Sequence, residues 1–212
     1  MKIKECSPTL LEFETTQKEM PISILNGLRR ICHAEVKTFT IDFVFLLENN
    51  SFYNDEFLIH RLGLVPFVVD TNNVTNVSSD KNFNEDLEIV LKVDNKTTQD
   101  RKVYSSDFEV TPNGRVNFHP VFFEGFEKGI HLLTLAPTQS VHFVCKLKEG
   151  CGALHSKWSP VSTVYYKQIT EEKMKFVIES TGAKTSLDIF RTAVSLFKKK
   201  IESITDIQLF QS

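Results

Sequence analysis

Cysteine is scarce: Cys6, Cys32, Cys145 and Cys151 are all that 212 residues contain. Four scattered thiols are too few for the disulfide framework that staples small secreted domains. The tight C-x2-C knuckle of a structural zinc site is missing too. His142, Cys145, Cys151 and His155 spell a looser H-x2-C-x5-C-x3-H, with suitable ligand types but poor geometry. In the alternating run VHFVCKL, residues 142 and 145 differ by an odd number and point to opposite faces of a strand, so neither a metal nor a cofactor is expected. Long apolar runs are lacking as well. No segment approaches the roughly 20 apolar residues of a membrane span, and MKIKECSPTLLEFE has no core of the signal-peptide kind. A soluble intracellular protein without membrane partners is expected, and the sequons at Asn49, Asn73, Asn76 and Asn95 are read as chance occurrences in polar loops. Charge of one sign is not in excess: 25 Lys plus Arg stand against 27 Asp plus Glu, a net charge of -2. That balance gives no electrostatic case for direct DNA contact.

Catalytic signatures are also absent, with no nucleophile elbow, phosphate loop or HExxH helix. Asp55, Glu56, His60, His119 and His155 are the candidates for acid-base chemistry. Glu56 and His60 are four apart on one helix face, enough for an ion pair or half a metal site. A metal-independent enzyme using the Glu56/His60 region, or a stand-alone β-rich adaptor, are the alternative readings.

What is present begins with DEFLIHRLGLVPF, residues 55–67. Asp55 and Glu56 suit the first turn of a helix, and Phe57, Leu58, Ile59 and Leu62 supply its apolar face. Gly63 is expected as the C-terminal cap and Pro66 prevents a restart, which leaves His60 and Arg61 at the carbonyl end where positive charge is favoured. Before it, a strand around Leu10, Leu11 and Phe13 leads to a helix starting at Pro21, with Ile24, Leu25, Leu28, Ile31 and Cys32 as its buried stripe. VKTFTIDFVFLLE then alternates, placing Phe39, Ile41, Phe43, Phe45 and Leu47 on one strand face. The middle opens on a polar loop, VVDTNNVTNVSSDKNFNED, and continues as short strand patterns at LEIVLKV, RKVYSSDFEV, IHLLTLA, VHFVCKL and STVYYKQI, punctuated by turns such as PNG at 112–114. Toward the end MKFVIEST reads as a strand, and a helix begins near Ser186. Along it Leu187, Phe190, Val194, Phe197, Ile201 and Ile204 recur at helical spacing. Ile189, Ala193 and Leu196 widen that stripe beyond what one sheet face needs, which suits a helix that also meets a second protein. Lys198, Lys199 and Lys200 are read as a solvated face.

The segment 55–67, with LNGLRRICHAEVKTFTIDFVFLLENNS upstream (25–51) and GALHSKWSP downstream (152–160), resembles the platform-subunit family of multisubunit RNA polymerases. That family includes the archaeal D subunit, the third-largest subunit of eukaryotic RNA polymerase II and, more distantly, the bacterial alpha subunit. The resemblance implies an α+β fold: a discontinuous helix-on-sheet dimerisation domain (1–66 and 168–212) carrying an inserted, all-β-rich domain (67–167). It implies a non-catalytic subunit that pairs with a smaller homologous subunit and forms the platform for the second-largest catalytic subunit, beside small zinc-binding auxiliary subunits. Leu25, Leu28, Leu187, Phe190, Val194, Phe197 and Ile201 are then dimerisation residues. Arg29, Arg30, Glu35, Glu56, His60 and Arg61 face the large subunit, and His155, Trp158 and Pro160 anchor the insert. From the residues alone, Arg29 and Arg30 read as an exposed helix flank pairing with Glu35 or solvent, and Glu56, His60 and Arg61 are interface or turn-stabilising residues. Many relatives carry a cysteine-rich metal or iron-sulfur segment in the insert; this chain has no cysteine between Pro66 and Cys145, so that subtype of site is excluded. The short length points to a compact archaeal-like or viral-like version, with the cytoplasm, the virion or host cell, or the nucleus as the compartment according to origin.

Overall fold

A computed structural model describes residues 1–70, 88–110 and 117–205. Most of the 68–86 loop, the PNG turn at 112–114, and the sequons at Asn73 and Asn76 lie outside the described residues. In chain order the elements are β1 (Lys2–Cys6), β2 (Leu10–Thr16), α1 (Ile22–Ala34), β3 (Lys37–Asn49), α2 (Asp55–Gly63), β4 (Pro66–Asp70), β5 (Glu88–Asp94), β6 (Arg101–Tyr104), β7 (Glu109–Val110), β8 (Asn117–Pro120), β9 (His131–Leu135), β10 (Ser140–Cys151), β11 (Val161–Gln168), β12 (Lys173–Ser180) and α3 (Ser186–Thr205). The fold is mixed α and β, mostly sheet. Among the described residues no helix is long and apolar enough to cross a membrane.

Two compact units divide the chain. The first joins both chain ends, 1–38 and 151–212. Its antiparallel sheet runs β1-β2-β12-β11. β2 alternates as its sequence demands, with Leu11, Phe13 and Thr15 inward. Phe13 stacks on Phe176 of β12 at 5.3 Å between ring centroids. Leu25, Leu28, Ile31 and Cys32 of α1 and Ile189 and Ala193 of α3 complete the core. Pro21 is the residue before the helix rather than its first turn, and it makes no side-chain cap.

The second unit is 39–150. Its six-stranded sheet runs β7-β5-β10-β3-β4-β8, beside a two-stranded pair β6-β9. Ile89, Leu91 and Val93 of β5 and Val141, Phe143, Cys145 and Leu147 of β10 face the core with Leu58 and Leu62 of α2. Two of the four sequons have a structural use in this unit. Asn49 Oδ1 accepts from Ser51 N (3.1 Å) and Oγ (2.6 Å), and Asn95 Oδ1 accepts from Thr97 N (3.1 Å) and Oγ1 (2.7 Å). Both are Asx-type turns, in which the side chain stands in for a backbone acceptor.

The compact units divide at 38/39 and 150/151, whereas the family resemblance implies domain boundaries at 66/67 and 167/168. Pairing explains the difference. From Phe39 onward β3 lies between β10 and β4 in the six-stranded sheet, and α2 packs against β9, so 39–66 belongs with the middle of the chain. β11 pairs along its length with β12, so 161–168 belongs with the ends. The parity of β3 also departs from a single apolar face: Phe39 and Ile41 are buried, whereas Phe43, Phe45 and Leu47 are exposed and Val44 packs on the core.

Candidate functional site

Helix α3 opens on a local cap: Thr185 Oγ1 donates to Asp188 Oδ2 (2.6 Å) and accepts from Asp188 N (3.2 Å), satisfying one of the helix's free N–H groups. Ser186 ties the first turn to the β1–β2 connection, its N–H donating to Pro8 O (2.8 Å) and its hydroxyl to Ser7 O (2.7 Å). This fixes the rotation of the helix. Ile189 and Ala193 are fully buried, Phe190 packs on Phe13 at 5.1 Å, and Leu196 and Phe197 lean on the same core. Phe197 lies against Gly27 of α1, where an added Cβ would come within 2.7 Å of the ring. Along one flank, and toward the helix end, the same apolar stripe runs on into solvent. Val194 is 42%, Ile201 47% and Ile204 65% exposed, and Leu187 is half-buried. A surface helix ordinarily turns polar residues outward; α3 does so with Arg191, Ser195, Lys198 and Glu202, but its apolar stripe is wider than the core beneath it covers.

The expected dimerisation set therefore divides. Leu25 and Leu28 are fully buried within their own unit, so they hold α1 on its sheet and offer nothing to a partner. Phe190 and Phe197 are largely spent on internal packing. Leu187, Val194 and Ile201 remain available. The lysines near the helix end behave as a solvated face: Lys198 pairs with Glu202 (3.8 Å) and Lys200 with Glu35 (2.6 Å).

On α1, Glu35 is thus engaged by Lys200 rather than by Arg29 or Arg30. Arg29 is half-buried, its Nε donating to Asn26 Oδ1 at 3.4 Å, and Asn26 Nδ2 donates to the Tyr166 hydroxyl at 3.0 Å. Arg30 is exposed. Burial, reinforced by the Arg29 charge, holds the His33 pKa below its ordinary value.

On α2 the capping residue is Asn54, whose side chain accepts from Glu56 N at 2.9 Å. An Asn immediately before Asp-Glu is a signal the sequence carries. Gly63 is the last helical residue and not a left-handed cap; Leu64 ends the helix in an ordinary right-handed conformation. Arg61 turns inward on its own unit. Its Nε donates to Leu132 O (2.9 Å) and its Nη2 to His131 O (2.8 Å), and its guanidinium lies 5.7 Å from the Phe57 ring. It is a clamp between α2 and β9. Glu56 and His60 are exposed, in bulk solvent rather than in a desolvated cleft of the kind that tunes acid-base groups.

In GALHSKWSP, Trp158 is buried and its carbonyl accepts from Thr38 Oγ1 at 2.7 Å. Pro160, also buried, accepts from Thr181 N at 2.9 Å. His155 is exposed and caps the short 3-10 turn Ser156–Trp158, its Nδ1 accepting from Lys157 N at 3.1 Å. On β10, His142 and Cys145 fall on opposite faces. Burial pushes the Cys145 thiol up to about 12. Among the described residues no three His, Cys, Asp or Glu side chains gather to hold a metal ion.

Residues 14–201 match the profile of the RNA polymerase Rpb3/Rpb11 dimerisation domain. The chain is 35% identical over 183 residues to the DNA-directed RNA polymerase subunit Rpo3 of Methanocaldococcus jannaschii, covering 86% of this chain and 83% of that protein. It is 30% identical over 184 residues to the DNA-directed RNA polymerases I and III subunit RPAC1 of Saccharomyces cerevisiae, covering 76% and 55%. With the DNA-directed RNA polymerase II subunit RPB3 of Schizosaccharomyces pombe it shares 29% over 177 residues, covering 78% and 58%. The chain thus spans little more than half the length of these eukaryotic relatives. A match over nearly the whole chain, on a sheet whose covering helix leaves part of its apolar stripe exposed, makes this chain a member of the RNA polymerase Rpb3/Rpb11 dimerisation-domain family.

Proposed function

We propose that the chain is a non-catalytic subunit of a DNA-directed RNA polymerase that pairs with a smaller homologous subunit and forms the platform on which the second-largest catalytic subunit assembles. The observation that carries this reading is the exposed apolar flank of α3, Val194, Ile201 and Ile204, in a chain of a dimerisation-domain family. Apolar surface of this kind gains free energy when a second protein removes it from water. In this reading the unit of the two chain ends is the discontinuous dimerisation domain and the middle unit is its insert. Leu187, Val194 and Ile201 meet the smaller subunit. Small zinc-binding subunits join the same assembly, and the compartment is that of the polymerase, the nucleus in a eukaryote or the cytoplasm in an archaeon.

Arg29 and Arg30 are assigned to the second-largest subunit, with Glu56 and His60 as exposed polar contacts. Arginine suits this role because its planar fork donates two parallel hydrogen bonds to a carboxylate. Replacing both arginines by Ala should leave the heterodimer intact and lower recovery of the large subunit more than about tenfold, since losing one side of a buried charge-assisted contact costs about 2–5 kcal/mol. Pull-down with each partner as separate prey decides this: equal recovery of the large subunit by both forms would reduce the arginines to a solvated flank.

A further inference from the structure

Residues 121–130, VFFEGFEKGI, place three phenylalanines in solvent within five positions. Phe122, Phe123 and Phe126 are all exposed, Phe126 at 68%. Large aromatic side chains in water on a loop call for an explanation, because each forgoes the burial that drives folding.

The loop is nevertheless firmly built. Phe126 N donates to Phe123 O (2.9 Å) and Gly129 N to Phe126 O (2.8 Å), closing successive turns. At one end Val121 N donates to Pro66 O (3.0 Å), and the His119 ring stacks on Phe122 at 6.1 Å. At the other, Ser105 N donates to Ile130 O (2.8 Å), Ser106 N to Lys128 O (3.2 Å), and Ile130 N to Ser105 Oγ (2.9 Å). Gly129 is required there: its φ is +73°, and a Cβ would overlap the Ser105 hydroxyl. The phenyl rings are therefore presented on a scaffold already ordered, which lowers the entropy lost on binding.

Charge selects the occupant. Glu124 and Glu127 are exposed beside the rings, while the Lys128 ammonium is folded back to 5.8 Å from the Tyr104 ring. A cavity of about 290 Å³ lined by Tyr104, Gly125, Phe126, Glu127, Lys128 and Gly129 adjoins Phe126. It offers a carboxylate and a π face, the two groups that receive a guanidinium or ammonium.

We infer that this loop is a second protein-docking element, separate from α3, whose occupant is another polypeptide presenting an apolar cleft rimmed by Lys or Arg. The rings enter the cleft as anchors, Glu124 and Glu127 meet the basic rim, and one basic side chain enters the cavity beside Glu127 and the Phe126 ring. A second copy of this chain is disfavoured, because a two-fold contact would bring the same carboxylates face to face. Nucleic acid is disfavoured by the same charges. The inference goes beyond the pairing assigned to α3 and does not depend on it.

The test uses the full chain, tagged and expressed in its own cells, with the photoreactive p-benzoylphenylalanine in place of Phe126. After irradiation the crosslinked peptide is sequenced. The expected result is one peptide of a different protein carrying Lys or Arg beside apolar residues, with a yield that falls more than about tenfold when Glu124→Lys and Glu127→Lys are added, as opposing rim charges require. Both glutamates are exposed, and an unchanged thermal melt shows that the double variant folds. Absence of a crosslink, a crosslink to an acidic peptide, to nucleic acid or to a second copy, or a yield indifferent to the charge reversal would each overturn the inference. The same probe at Val194 reports the α3 pairing separately, so the two failures are told apart.

Discussion

Gly152 leaves no room for a side chain: a Cβ there would overlap the His33 carbonyl oxygen, which is backbone and cannot rotate away. The adjoining Ala153 N donates to Ala34 O at 2.8 Å, so GALHSKWSP is drawn onto the end of α1 by main-chain contact. Gly152→Ala should lower stability by about 1–3 kcal/mol, the usual cost of overpacking a tight site, read as a shifted urea midpoint with unchanged slope. A midpoint equal to wild type would show that the approach is dispensable. Cysteine reactivity gives a second test at this scale. Burial pushes the Cys32 and Cys145 thiols up to about 12 from an ordinary 9.0, while Cys6 is exposed. Because the thiolate is the nucleophile, iodoacetamide at mildly alkaline pH should label Cys6 in the native chain and reach Cys32 and Cys145 only on unfolding. Rapid native labelling of Cys145 would contradict the packing of β10.

At the scale of elements, α1, α2, β2 and α3 were legible in the sequence because apolar spacing and end-of-helix residues agree there. β1 was not, since all five of its residues are exposed and only its pairing with β2 makes it a strand. Periodicity found that α3 is too apolar for one contact but could not say which part of the stripe faces inward. That is decided by the Ser186 hydrogen bonds to the β1–β2 connection, a long-range tether no local pattern reveals. The covered part of the stripe proves to be Ile189 and Ala193 with Phe190 and Phe197, and the exposed part Val194, Ile201 and Ile204 along its flank and end. Arg61 likewise reads as a large-subunit contact or a turn-stabilising group until β9 supplies the two carbonyls it binds. The two parts of the α3 stripe should separate in mutation. Ile201→Asp should leave the chain folded, with a melting temperature near wild type, while abolishing the heterodimer, because a carboxylate buried in an apolar contact costs about 2 kcal/mol or more. Phe197→Asp should damage the fold itself, since its ring packs on Gly27 and the core. Heterodimer formation by Ile201→Asp would remove the exposed flank from the interface.

For the whole molecule, the sequence motifs indicated the family, and the compact units divide at 38/39 and 150/151 where the resemblance implies 66/67 and 167/168. The two divisions differ because β3 and β10 each continue through a joint between units, entering the six-stranded sheet at Phe39 and leaving it at Gly150, and strand pairing over such sequence distance is invisible to composition. Nothing in the described residues gathers a metal, and the Glu56 and His60 side chains stand in solvent. The surface that matters most to the proposed function is the exposed apolar flank of α3. The most direct measurement is the solution mass of the full chain by light scattering after size exclusion, alone and after co-expression with the Rpb11-like subunit of the same genome. Self-association or aggregation of the chain alone and a one-to-one heterodimer on co-expression are expected, since obligate interfaces bury upward of about 2,000 Å² of core-like surface. A stable monomer at micromolar concentration that remains monomeric beside the co-expressed subunit would contradict the proposed pairing.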